Sequence, residues 1–177
     1  MSSGIAKTCK NGVATALTSG ASEAAASSVF VLGTDVYAAG YEILGFNSIA
    51  KFWKNGVGTD LTSSLSSATA YSVFASGADV YVAGEEHGAI EEGKIWKNGV
   101  ATTLTAGVTY ASVYSVFVLG VDVYASGFED NASGKRIAKT WKNGTPTSLT
   151  YGTNDAEAYS IYVSGTDVYA AGYEYNG

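Results

Sequence analysis

A short stretch recurs through the chain and sets the phase of everything else. It reads Trp-Lys-Asn-Gly at residues 53–56, 96–99 and 141–144, and Cys-Lys-Asn-Gly at residues 9–12. A second series, Asp-Val-Tyr followed by small residues and Gly, starts at Asp35, Asp79, Asp122 and Asp167; both series are spaced 44, 43 and 45 residues apart. A period of this length marks a repeat architecture, in which no unit buries its apolar face alone and neighbours supply the core for one another. The 177 residues therefore read as one domain, 1–177, of four similar units.

Within a unit the pattern predicts four short strands. In the clearest copy they cover residues 27–32, 35–42, 49–53 and 57–62, here termed A, B, C and D. β-branched and aromatic residues fill them, and small residues in B leave room for another backbone. Asn-Gly between C and D predicts a type I′ hairpin, because both central residues must take positive φ and these two tolerate it. A and B are joined by Gly-X-Asp in every unit, whereas the B-to-C and D-to-A links vary. Four antiparallel strands at this period are the signature of a β-propeller blade.

The phase of the chain adds a constraint. It starts at strand C (residues 5–9) and D (13–18) of one unit and stops after strands A and B (160–174) of another. Three blades are thus complete and the fourth is split between the termini, with residues 175–177 and 1–4 standing where a B-to-C loop would run. Strand B at one end must pair with strand C at the other, or both present open edges. Two closures meet this requirement: an eight-bladed ring made by two chains that share their split blades, or a four-bladed ring closed within one chain. Small residues between blades (Ala38, Ala39, Gly40, Ala83, Gly84, Ser126, Gly127) favour nearly parallel blades and hence the dimer.

The strand order, with a Gly ending the core of strand B, resembles kelch-like propellers, and the period resembles WD40-type ones. The Gly-Gly pair usual in kelch repeats is here Ala39-Gly40, Ala83-Gly84, Ser126-Gly127 and Ala171-Gly172, and Trp-Lys stands in place of the WD dipeptide. The chain looks like a near-symmetric bacterial-type propeller repeat, natural, excised from a longer array or designed. The resemblance implies architecture and no catalytic residues.

Composition narrows the function classes. Ten Lys and Arg against sixteen Asp and Glu give a net charge of -6, which opposes nucleic acid and anionic membrane surfaces. A single Cys9 leaves the redox compartment open. No apolar run is long enough for a membrane helix and no signal peptide is evident, so the chain reads as soluble, of unknown compartment. Motifs of zinc proteases, serine hydrolases, dithiol redox sites and phosphate-binding loops are absent from the sequence.

If strands alternate in direction, the variable loops share one face, which collects most of the acid. There Glu42, Glu86, Glu129 and Glu174 each lie two residues after the strand B Gly, and strand C carries a matching Lys7, Lys51, Lys94 and Lys139. The two series predict cross-strand ion pairs; the alternative is a ring of carboxylates around Ca²⁺ or another hard cation. Tyr beside acid also suits sugar binding, since the ring stacks on a pyranose while carboxylates accept its hydroxyls. The candidate ligand-binding residues are therefore Tyr41, Glu42, Glu86, Glu129, Tyr151, Tyr173, Glu174 and Tyr175. Tyr71, Tyr114 and Tyr159 are expected to start strand A and pack between blades. His87 reads as part of a solvated loop, the alternative being a lone general base or metal ligand.

Trp53, Trp96 and Trp141 are expected to fill the gaps between blades, with Cys9 filling its gap less well, and Tyr37, Tyr81, Tyr124 and Tyr169 to be structural. Pro146 falls on an outer D strand, where a missing N–H does least harm. The expectation is an all-β propeller acting as a non-catalytic scaffold or binding module, with no cofactor, no metal and no catalytic residue. Its partners would be a second copy and a carbohydrate or protein ligand. The alternatives are a repeat fragment without a selected ligand and, third, a glycosidase-like enzyme using paired carboxylates.

Overall fold

The computed structural model describes residues 4–105 and 109–176, which form strands, turns and loops without a helix. Among them no helix is long and apolar enough to cross a membrane. Two strands, β1 (Lys7–Lys10) and β2 (Val13–Ala16), make a first, two-stranded sheet. Three four-stranded antiparallel sheets follow. The first holds β3 (Ala24–Leu32), β4 (Asp35–Leu44), β5 (Asn47–Lys54) and β6 (Val57–Asp60). The second holds β7 (Ser67–Ser76), β8 (Asp79–His87), β9 (Glu91–Lys97) and β10 (Val100–Thr103). The third holds β11 (Ala111–Leu119), β12 (Asp122–Asp130), β13 (Arg136–Lys142) and β14 (Thr145–Ser148). A last pair, β15 (Ala156–Ser164) and β16 (Asp167–Glu174), ends the chain.

The turn chemistry is as the sequence dictates. Asn11, Asn55, Asn98 and Asn143 have φ of 49 to 51° and the glycines that follow have φ of 82 to 84°, the two positive values a type I′ hairpin needs. Each Asn in the complete sheets also ties its hairpin to the neighbouring turn. The Asn55 side chain accepts from the Val36 amide (2.9 Å) and donates to Asp35 (2.8 Å), and Asn98 and Asn143 repeat the pattern. Pro146 lies on β14, at a sheet edge, as expected.

The first strand of each sheet from β3 onward differs from expectation in length and regularity. β3 begins at Ala24 rather than at residue 27, and the equivalent strands are extended likewise. Each carries a register shift opposite the strand B Gly: between Ala26 and Ser28, Ala70 and Ser72, Val113 and Ser115, Ala158 and Ser160. This bulge breaks the period-2 alternation that marks a strand in sequence. Tyr71, Tyr114 and Tyr159 are therefore bulge residues inside strand A, not its first residues. The bulge also explains the glycines. A Cβ on Gly40, Gly84, Gly127 or Gly172 would collide with the carbonyl oxygen of Ala25, Thr69, Ser112 or Glu157.

The core lies between sheets. Trp96 is fully buried among Tyr37, Ala39, Ala50 and Leu61 of the preceding sheet, and Trp141 meets Tyr81, Ala83 and Ile95 in the same way. Trp53 packs on Ala6 and Leu17 of the first two-stranded sheet. Phe30, Phe74, Phe117 and Tyr162 stack along the row with ring centroids 4.4, 5.0 and 4.9 Å apart. The tryptophans thus fill the gaps assigned to them, and Tyr37, Tyr81 and Tyr124 are buried in the clusters between sheets.

The ends of the row are different. Among the described residues no pairing joins β16 to β1, and the four-bladed closure held as the alternative is not seen there. The loop expected from residues 175–177 and 1–4 lies partly outside the described residues. Tyr169, grouped above with the structural tyrosines, is 57 % exposed where Tyr37 is 3 % exposed. Among the described residues no further sheet covers it. At the other end Val29 is 60 % exposed, whereas its counterpart Val73 is 4 % exposed.

Candidate functional site

The variable loops and the ends of strands B and C gather on one face. The Glu and Lys series meet there as diagonal pairs, because Gly40 stands opposite Lys51 and Glu42 opposite Ile49. Lys51 reaches Glu42 at 2.5 Å, Lys94 reaches Glu86 at 2.7 Å and Lys139 reaches Glu129 at 2.5 Å. A hydroxyl from the preceding loop completes each site: Ser22 on Glu42 (2.6 Å), Ser66 on Glu86 (2.7 Å) and Thr109 on Glu129 (3.2 Å). The bond from Lys51, with that from Ser22, holds the Glu42 carboxyl below its ordinary range. Burial pushes Glu86 upward, but Lys94 and Ser66 outweigh it and bring it below as well. These three carboxylates are satisfied by the chain itself, which removes the basis for a carboxylate ring around a hard cation.

On the opposite face the hairpin lysines repeat the logic. Lys54, Lys97 and Lys142 lie 2.8 Å from Asp35, Asp79 and Asp122 and over the rings of Tyr37, Tyr81 and Tyr124 at 5.3 Å. Each such link joins strand B to strand C. Its two halves also occur at the chain ends, unjoined: Lys7, Lys10 and Asn11 on one side, Asp167, Tyr169 and Glu174 on the other. Among the described residues none of these six side chains makes the counterpart contact.

The tyrosines do not form one exposed platform. Tyr71, Tyr114, Tyr159, Tyr173 and Tyr175 make a continuous column, with successive centroids 5.3, 5.4, 5.8 and 4.9 Å apart. The bulges place the first three in it; Tyr71 and Tyr114 are partly buried between sheets as expected, whereas Tyr159, on the last sheet, is 52 % exposed. Tyr173 donates to Glu157 at 3.1 Å, and burial together with the Glu157 charge pushes its phenol up to about 12. Tyr41 is partly buried on β4 and outside the column, Tyr151 stands almost fully exposed in a loop, and Glu174 is exposed on β16. The candidate residues are therefore dispersed along the face.

Two buried polar joints on this face are not evident in the repeat pattern. Glu157, 3 % exposed, pairs across the sheets with Arg136, whose guanidinium also lies 4.4 Å from the Phe128 ring centre. Between the second and third sheets, Glu85 takes Tyr71 OH at 2.7 Å and the Ser112 hydroxyl, and Ser112 also lies 2.9 Å from Glu91. His87 is the last residue of β8 rather than part of a solvated loop. Its Nε2 is 3.3 Å from Glu85 and its Nδ1 3.7 Å from Glu91. The signal in the sequence was negative: these positions are where one unit departs from its neighbours.

The fold and face together define an all-β repeat protein of four-stranded antiparallel sheets, compatible with a propeller-like repeat. No protein-family model matches the chain, and no curated protein matches it either.

Proposed function

We propose that the protein is a non-catalytic propeller scaffold, completed as an eight-bladed ring when two copies share their split sheets. The observation that carries this reading is the complementarity of the two ends. Every link that joins strand B to strand C in the complete sheets has one half on β16 and the other on β1. The apolar surfaces agree with it. A cleft of about 600 Å³ beside β1 and β3 is lined by Leu17, Val29, Val31, Ala38 and Trp53. By the repeat, this is the space that Tyr37 and Ala39 fill at the next joint, so Tyr169 and Ala171 of a second copy suit it. A smaller hollow of about 210 Å³ beside β13, β15 and β16 suits β1 and β2. Pairing both edges removes the unpaired N–H and C=O groups that an open sheet presents.

Light scattering tests the assembly: the expected mass is about twice 18.2 kDa. A mass of one chain across the micromolar range, or open-ended growth, overturns it. The ring presents its loop face for a carbohydrate or protein, and the exposure of Tyr151 and Tyr175 favours that use. Hits on a glycan array that vanish with Tyr151→Ala and Tyr175→Ala support a carbohydrate, and an unchanged pattern with both variants excludes these rings.

A further inference from the structure

We propose that Glu85, His87 and Glu91 bind one first-row divalent transition ion, of which Zn²⁺ is the probe, at the joint between the second and third sheets. The ligand atoms of the three side chains lie within 4.8 Å of one another. Bound Zn²⁺ sits about 2.0 to 2.2 Å from carboxylate oxygen or imidazole nitrogen, which in a tetrahedral site sets ligand atoms about 3.4 Å apart. Small side-chain rotations close that difference. The strands already hold the group together: Glu85 and His87 share one face of β8, and Glu91 is the cross-strand partner of His87. An imidazole nitrogen with two carboxylates suits a borderline metal better than Ca²⁺ or Mg²⁺, which prefer oxygen throughout.

Two independent features point to a cation here. The first is charge. Glu42, Glu86, Glu129 and Glu157 each meet a Lys or Arg, but among the described residues Glu85 and Glu91 pair with neither. Glu85 is nonetheless 7 % exposed, and its other partners, Tyr71 and Ser112, are uncharged. Burial and the charge of Glu85 raise the Glu91 carboxyl, with His87, the one cationic partner within reach, opposing the rise. The second is the repeat. Where this unit has Glu85, His87 and Glu91, the sheet before it has Tyr41, Ile43 and Ser48, and the sheet after it Phe128, Asp130 and Arg136. Three ligand-type residues thus replace the repeat residues in one unit, and all three converge on one point.

The site lies within one chain and does not depend on ring closure. His87 is the single histidine, so its ring signals in an NMR titration report the site without ambiguity. Cys9→Ser serves as the background, since the exposed thiol would itself take Zn²⁺. The expected result is saturation of the ring shift at one Zn²⁺ per chain, with calorimetric affinity more than about tenfold weaker in His87→Gln and in Glu91→Gln. Glu92→Gln, which touches Lys94 instead, leaves affinity unchanged. Ring signals that do not move, or Zn²⁺ affinity indifferent to His87→Gln, overturn the proposal.

Discussion

Glu42 and Glu86 illustrate how single side chains set the response of the fold to acid. Both carboxyls, with the surface Asp35, Asp79 and Asp122, are held below their ordinary values by a lysine and a neutral donor. The folded chain therefore binds these protons less tightly than the unfolded chain does. The stability they contribute is complete above the ordinary values of 3.8 for Asp and 4.5 for Glu, and is lost as pH falls through the lowered folded values. The exposed Asp pairs add little, so Glu42 and Glu86 dominate. Melting followed from pH 7 to pH 3 should fall mainly below pH 4.5, less so in Lys51→Met and Lys94→Met. The ion pairs were legible because both partners recur at fixed offsets. The Glu85 and Glu157 joints were not, since each is made across sheets by residues that occur in one unit only.

At the scale of the strand, the bulge in each strand A is the feature that the alternation of residue types hides. It adds one residue to β3, β7, β11 and β15, brings a carbonyl against the strand B Gly and turns Tyr71, Tyr114 and Tyr159 into a column. The hairpins were readable because Asn-Gly carries its backbone conformation in its chemistry; a bulge carries none, only the Gly opposite it. That Gly is a test. In Gly127→Ala the new methyl meets the Ser112 carbonyl and the Val113 Cα, backbone that cannot rotate away. The expected loss is about 1 to 3 kcal/mol or more in urea denaturation. Gly88→Ala, with one contact at 3.8 Å and no positive φ, should change the midpoint little.

At the scale of the molecule, the period of 43 to 45 residues made the row of sheets legible, and the phase of the chain made its two incomplete ends legible. Geometry of closure was not legible in one chain, because in the proposed ring the residues that would decide it meet a second copy. Small residues at the joints, such as Ala39 at 0 % exposure and Ser126 at 0 %, bring successive sheets close. Tyr169 and Val29 record the same rule by its failure, since their counterparts Tyr37 and Val73 are buried within the row while they themselves are exposed at its ends.

The placement of the break within a sheet, rather than between two, has a further consequence. Were the chain to begin and end with whole sheets, the joint between copies would rest on side-chain packing alone. In the proposed two-chain ring each copy would donate half of a hydrogen-bonded ladder, so that association and the last step of folding would become one event. On that proposal dilution would do more than separate partners: it would leave both with a frayed terminus, and the fold would become more secure as its own concentration rises.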